Sequence, residues 1–252
     1  MVDYAFDFHL CSMHKLPFDI LFEDDYMVAV NKPSGMLTLP DRHDGDLQSL
    51  RGLLQAKYGQ IFVVHRLDKD TSGVILFAKD EATHKYLSAL FEGRSIEKIY
   101  QGIVHGVPSP QTGNIKEPIA EHSAKNGTML VHARGKDSHT EYEVAQALGK
   151  FSLVTFTLHT GRTHQIRVHC KFMGHPIACD PLYGDGKPIL VSSFRKKFNL
   201  SKKEDEERPI LSRLALHAFR LGFIGMDEKP ILIEAPLHKD MRALLAQLEK
   251  AK

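Results

Sequence analysis

Apolar and polar positions alternate along this chain in short stretches, and the stretches set out a β-rich order with a few helices between. Residues 20–23 and 27–31 read as two strands around Asp24-Asp25, closing on a Pro33-Ser34-Gly35 turn. Apolar runs at 61–64 and 74–78 flank a polar corner and predict two more strands. Residues 98–105 alternate, with Ile99, Gln101 and Ile103 opposite Tyr100, Gly102 and Val104, so Tyr100 belongs within a strand. Residues 140–145 alternate around Tyr142 and Val144, whereas 151–158 is apolar on both faces, as a central strand should be. Residues 215–223 and 231–234 supply two further strands. Helical spacing appears over 50–57, and from an Asp80 N-cap through Phe91 with Ala82, Tyr86, Ala89 and Leu90 near one stripe. It returns over 163–173, with Ile166, Cys170 and Met173 on one side and Gly174 closing, and in a final helix bearing Met241, Leu244, Leu245 and Leu248. Many strands, short turns and few βαβ units predict an α+β fold: a mixed, largely antiparallel β-sheet with flanking helices.

Composition narrows the function classes. A chain of 252 residues, 42% hydrophobic, can bury a core of one or two domains. Its net charge is only +2, from 33 basic and 31 acidic residues, which excludes a non-specific nucleic-acid coat protein. A local basic cleft is still open to it, and fifteen histidines can add charge near neutral pH. Cys11, Cys170 and Cys179 are odd in number and lack CxxC spacing, so neither a disulfide framework nor a zinc site is expected. The first residues lack the basic-then-apolar profile of a signal peptide. No apolar run approaches the roughly 18 residues of a membrane helix, and the expectation is a cytoplasmic protein with no membrane partner. Residues 195–208, with six basic and four acidic side chains, read as a solvated charged loop or short helix; a basic arm that grips phosphates is the alternative.

The densest chemistry lies at His65-Arg66-Leu67-Asp68-Lys69-Asp70-Thr71-Ser72-Gly73. An aspartate sits between two cations at a strand end, just before a sharp Thr-Ser-Gly turn, where a carboxylate is placed for chemistry rather than packing. A plain polar corner with surface ion pairs is the bland reading, since Asp-Lys-Asp turns are common. Asp68, Asp70 and Ser72-Gly73 also match the opening of a calcium-binding loop, but its twelfth position, which needs a bidentate Glu, is Lys79. His159, His164 and His169 are spaced by five, not by the three or four of helical metal sites, so no metal is expected there.

Residues 65–73 resemble HRLDxxTSG, the signature of the RluA family of RNA pseudouridine synthases. Residues 159–169 resemble the TGRxHQIRxH element of the same family, and 174–184 its GHPIxGDxxYG element, with Cys179 in place of the usual Gly as a small-for-small exchange. Asn31-Lys32-Pro33-Ser34-Gly35, Lys98-Ile99-Tyr100 and Leu216-His217-Ala218 extend the likeness in family order across residues 17–237. The resemblance implies an isomerase of specific uridines in structured ribosomal or transfer RNA, with Asp68 catalytic, Arg167 its ion-pair partner and Tyr100 against the target base. It implies no cofactor, because the reaction breaks the N-glycosidic bond, turns the base and rejoins it through C5 without oxidation or a leaving group. Arg66 takes part in replacing the extruded nucleotide; Arg162, His164, Lys32 and His65 are candidate RNA contacts, and His217 and Leu221 support the pocket wall. His164 and His169 are expected to donate hydrogen bonds to RNA or to backbone. Residues 1–16 form an N-terminal extension and 17–252 one catalytic domain, as in compact members without an added RNA-binding domain, and the chain is expected to be a monomer. Two other functions compete: a catalytically silent RNA-binding homologue, and a metal-dependent nuclease built on Asp68, Asp70 and the histidines.

Overall fold

A computed structural model describes residues 16–40, 48–195 and 206–251. The expected N-terminal extension and most of the charged 195–208 segment lie outside these residues. The first hairpin pairs β1 (Asp19–Glu23) with β2 (Met27–Lys32), and Asp24 closes its turn by accepting from the Tyr26 and Met27 amides. Helix α1 (Leu50–Tyr58) starts at Ser49, whose hydroxyl accepts from Gly52 N–H. A two-residue β3 (Phe62–Val63) and β4 (Ser72–Ala78) then frame the polar corner. Every residue of β4 is buried, because β4 lies inside the sheet and is covered on both faces.

Helix α2 (Glu81–Glu92) has Asp80 as its cap, as expected, but its inward stripe is Thr83 and Leu87; Ala82 and Ala89 face solvent. The displaced register follows from the cap. Asp80 accepts from both Thr83 N–H and Thr83 Oγ1–H, so the threonine can be buried with its hydroxyl satisfied. Strand β5 (Glu97–His105) is followed by three short strands that the hydrophobic pattern does not announce: β6 (Thr112–Ile115), β7 (Ile119–Glu121) and β8 (Met129–Val131). Strands β9 (Thr140–Leu148) and β10 (Phe151–Leu158), helix α3 (Gln165–Phe172), strands β11 (Leu216–Ile224) and β12 (Pro230–Glu234) and helix α4 (Lys239–Glu249) complete the chain.

Ten strands form one sheet in the order β1-β2-β4-β11-β5-β10-β9-β6, with β12 on β11 and β3 on β4. All described pairings in it are antiparallel except β4 with β11. The sheet is mixed and largely antiparallel, as the sequence pattern predicts, and β10 is the expected inner strand between β5 and β9. Two cores flank its middle. One gathers β1, β2 and β4 with α1 and α2; the other gathers β5, β9 and β10 with α3 and α4, including Met241, Leu244 and Leu248. Tyr100 on β5 packs against both, which puts it at the seam.

The seam is joined at one point where only glycine fits. Gly73 has φ +116°, and a Cβ there would run into the Ala218 backbone of β11. The sharp turn expected at Thr-Ser-Gly falls instead at Lys69–Asp70, and Gly73, in the second position of β4, is what lets the two halves of the sheet meet side by side.

Candidate active site

Asp68 stands on the loop between β3 and β4, and the Asn31–Gly35 segment clasps that loop from below. Gly35 N–H and Lys32 Nζ both donate to Lys69 O, at 2.9 and 2.7 Å, and Ser34 Oγ donates to Asp70 O at 2.7 Å. Lys32 spends its other protons on Pro33 O and Met36 O and is fully buried. Burial brings its pKa down to about 7, against the pull of Asp70 and Asp68. This corrects the expectation that Lys32 touches RNA. It braces the turn that presents Asp68, because all its donors are taken by backbone carbonyls.

His65 differs from Lys32 in staying half-exposed beside Arg66, but it stands there as a neutral ring. Its Nε2 accepts from Leu76 N–H at 3.0 Å and its ring stacks on Phe91 with centroids 4.4 Å apart. Burial, with Lys98 nearby, takes its pKa down to about 3, so the ring is a neutral acceptor and no phosphate cation. A lowered histidine pKa has a definite sign: below about 6.5 the unfolded chain takes up a proton that the fold refuses. Its contribution is therefore whole above pH 6.5 and drains away as pH falls toward 3. Urea midpoints at pH 7 and pH 5 should fall further in the wild type than in His65→Gln, whose amide oxygen keeps the acceptor without titrating, by about 1–2 kcal/mol. Equal losses would show that His65 does not titrate with unfolding.

The far wall comes from the β10–α3 loop and from α3. Gln165 locks the loop, accepting from Thr160 Oγ1 and Arg162 N–H and donating to His139 O and Thr140 Oγ1. His164 caps α3 in the left-handed conformation, φ 55°, so the helix begins two residues later than the sequence pattern suggests. That strained backbone directs its ring between two groups. Nδ1 is 2.7 Å from Tyr183 Oη, and Nε2 is 3.7 Å from Asp68 Oδ2. Burial lowers the His164 pKa while Asp68 pulls it up. His169 is buried and goes to the frame: Nε2 donates to the backbone at Glu117 O, and Nδ1 meets the Thr140 hydroxyl.

Arg167 is the hub. Its Nη1 is 3.6 Å from Asp68 Oδ2, yet its two short bonds, Nε and Nη2 at 2.8 Å, go to Asp180. The expected Arg167–Asp68 pair is therefore the outer contact of a guanidinium already held bidentately elsewhere. Burial opposes the charge on Arg167, but the Asp180 carboxylate outweighs it and its pKa is raised. Asp180 is fully buried and also accepts from Leu182 and Tyr183 N–H, which makes it the anchor of this wall. Sequence reasoning missed that role, although the signal was there in the GHPIxGDxxYG element. Cys179 before it has φ +57°, so the glycine usual at this place answers to backbone hand and not only to size.

At the start of β4, Ser72 Oγ lies 2.9 Å from His217 Nδ1 and His217 Nε2 lies 3.0 Å from Ala235 O. A carbonyl can only accept, so Nε2 carries the proton and Ser72 donates to Nδ1. Burial brings the His217 pKa to about 4, which keeps this tautomer neutral. Arg213 adds a bond to Ser72 Oγ while gripping Asp240 of α4 through two bonds of 2.6 and 2.7 Å.

These walls enclose a cavity of about 100 Å³ that holds Asp68, Arg66, Tyr100, Arg162, His164 and Arg167 together. Burial and the neighbouring Asp68 push the Tyr100 phenol well up from its ordinary pKa, so it presents a neutral ring and hydroxyl. Arg66 and Arg162 also line an adjoining cleft of about 410 Å³, joined there by Arg94 and Lys98. This is the local basic cleft that a nearly neutral chain left open; Arg94 had no motif to mark it, and Lys98 lay in the Lys98-Ile99-Tyr100 block without being singled out as a contact. Among the described residues no cluster of histidine, cysteine and carboxylates could hold a metal, and no helix is long and apolar enough to cross a membrane.

Comparison with known proteins fits this geometry. Residues 26–172 match the family model described as RNA pseudouridylate synthase. The chain is 35% identical over 248 residues to ribosomal large subunit pseudouridine synthase D of Zymomonas mobilis, covering 92% of this chain and 73% of that one. It is 32% identical over 246 residues to ribosomal large subunit pseudouridine synthase C of Vibrio cholerae, covering 96% and 73%. Among solved structures, the human RNA pseudouridylate synthase domain containing 4 superposes with a TM-score of 0.68 at 26% identity, covering 91% of this chain and 92% of that one.

Proposed function

We propose how this enzyme works from one premise: the chain belongs to the RNA pseudouridylate synthase family and is an isomerase that turns uridine in RNA into pseudouridine. The substrate is large-subunit ribosomal RNA, a reading supported by the names of the relatives that cover most of this chain. Asp68 carries the chemistry. The observation behind this is its carboxylate, 24% exposed into the cavity and faced by Arg167 Nη1 at 3.6 Å and His164 Nε2 at 3.7 Å. It acts as nucleophile or base toward the ribose while the uracil is detached, turned and rejoined through C5.

Tyr100 supports the base as a neutral ring, and Arg66 fills the gap left in the RNA stack. Phosphates pass over the Arg66, Arg94, Lys98 and Arg162 cleft. One chain suffices for this reading, in which Asp68, Arg66, Tyr100, Arg162, His164 and Arg167 line one cavity. The silent-homologue reading is disfavoured by Asp68, Tyr100 and Arg167 lining one cavity.

Purified enzyme should form pseudouridine in unmodified large-subunit ribosomal RNA with excess EDTA and no nucleotide. Mapping pseudouridines in RNA from cells with and without the gene should show a site lost from that RNA. Activity that vanished with chelation and returned with Mg²⁺ on an RNA kept folded would support the nuclease reading instead.

A further inference from the structure

Helix α3 is buried from Gln165 to Cys170, yet its last residue, Phe172, is 55% exposed. Phe172 overhangs a cleft of about 360 Å³ between α3 and the β7–β8 hairpin. The cleft floor is apolar, formed by Met129, Leu130, Val131, Val168 and Leu182 with the face of Tyr183. Its other lining groups are Thr128 and three potential cations, His122, Lys125 and Lys171, with no carboxylate among them. Tyr183 is also the back of the catalytic cavity's wall: its hydroxyl meets His164 Nδ1, and the opposite side of that imidazole faces Asp68. The same hydroxyl accepts from Met129 N–H, which fastens the hairpin to this wall.

We propose that this cleft is a second RNA subsite, in which a base near the target uridine stacks on Phe172 while Lys125 and Lys171 hold its phosphates. The proposal rests on the reading that the Asp68 cavity acts on RNA. An exposed aromatic face among cations is how sequence-tolerant single-strand sites are built, because every base has a π-face and every nucleotide an anion. An acid-free rim suits a polyanion and repels no part of it. Only the His164–Tyr183 pair separates the two cavities, which puts the subsite within reach of nucleotides flanking a uridine held at Asp68. Nucleotides around an extruded uridine are unstacked and need a new surface for their bases.

The chain contains no tryptophan, so Phe172→Trp creates a single fluorescent reporter on an exposed position that no core packing depends on. Titrating that variant with unmodified large-subunit ribosomal RNA should quench its emission as bases stack on the indole. Phe172→Ala should raise KM for the same RNA about tenfold while the single-turnover rate at saturating RNA stays at the wild-type level. Lys125→Gln and Lys171→Gln should each flatten the salt dependence of binding by about 0.7 in the log–log slope. Unquenched emission from Phe172→Trp together with a wild-type KM for Phe172→Ala would overturn the subsite, whether the cleft then serves a protein or nothing. A wild-type enzyme that makes no pseudouridine in this RNA would overturn the underlying assignment instead, and the wild-type arm shows that separately.

Discussion

Asp68→Asn should form no detectable pseudouridine, a fall of at least about 10⁴-fold, while folding and binding RNA as the wild type does. An amide has the outline of the carboxylate but neither its nucleophilicity nor its basicity, so either form of the proposed chemistry stops. Stability should hardly change. Asp68 is partly exposed, and its contacts to Arg167 and His164, at 3.6 and 3.7 Å, are too long for the short hydrogen bonds that hold a fold together. Pairs of this openness contribute about 1 kcal/mol or less. Pseudouridine counting under single-turnover conditions, set beside a urea midpoint and an RNA binding curve, separates the three properties. Turnover within tenfold of the wild type would remove Asp68 from the chemistry.

Asp180→Asn should do the reverse, costing about 3–5 kcal/mol of stability because it strands the Arg167 charge in the interior. Asp180 is fully buried and gives Arg167 two bonds of 2.8 Å, besides accepting two backbone amides at the Leu182–Tyr183 turn. An asparagine keeps one carbonyl oxygen but turns an NH₂ toward a guanidinium that can only donate. The urea midpoint should drop accordingly, and activity should fall with it, since Arg167 and the His164–Tyr183 pair lose their anchor. Arg167→Lys should keep more activity than Arg167→Ala but remain less stable than the wild type, because one ammonium cannot serve two Asp180 oxygens and Asp68 together. An unchanged midpoint in Asp180→Asn would mean that the buried pair is not what holds this wall.

The contrast between the two aspartates shows what motif spacing could and could not say. Residues 65–73 marked Asp68 as the chemical carboxylate, because two cations and a sharp turn surround it in sequence. Asp180 lies more than a hundred residues away, and only folding brings it to Arg167. The site is therefore a pair of carboxylates sharing one guanidinium, where the sequence suggested a single ion pair. Lys32 and His65 went astray for a related reason. Both sit in motifs beside Asp68 and both are basic, but basicity in sequence does not reveal that Lys32 is fully buried or that the half-exposed His65 is held neutral. Inside the fold, one holds three carbonyls and the other accepts an amide, so their charge is turned inward or lost.

Local periodicity by itself determined the strands and helices whose apolar residues repeat over several turns or pleats, among them β4, β10, α1 and α4. It also determined the α+β class, since alternation and helical spacing depend only on neighbours along the chain. Strands β6, β7 and β8 escaped it, being three or four residues long and held by partners rather than by pattern. The tertiary structure alone decided that β4 meets β11 side by side at Gly73, which joins the two cores and forms the cavity between them. It alone decided which cations line the open cleft beside the cavity, Arg66, Arg94, Lys98 and Arg162, and which are spent on the frame. Burial, charge pairing and the hand of the backbone at His164 and Cys179 come from contacts between segments far apart in the chain, and no local pattern encodes them.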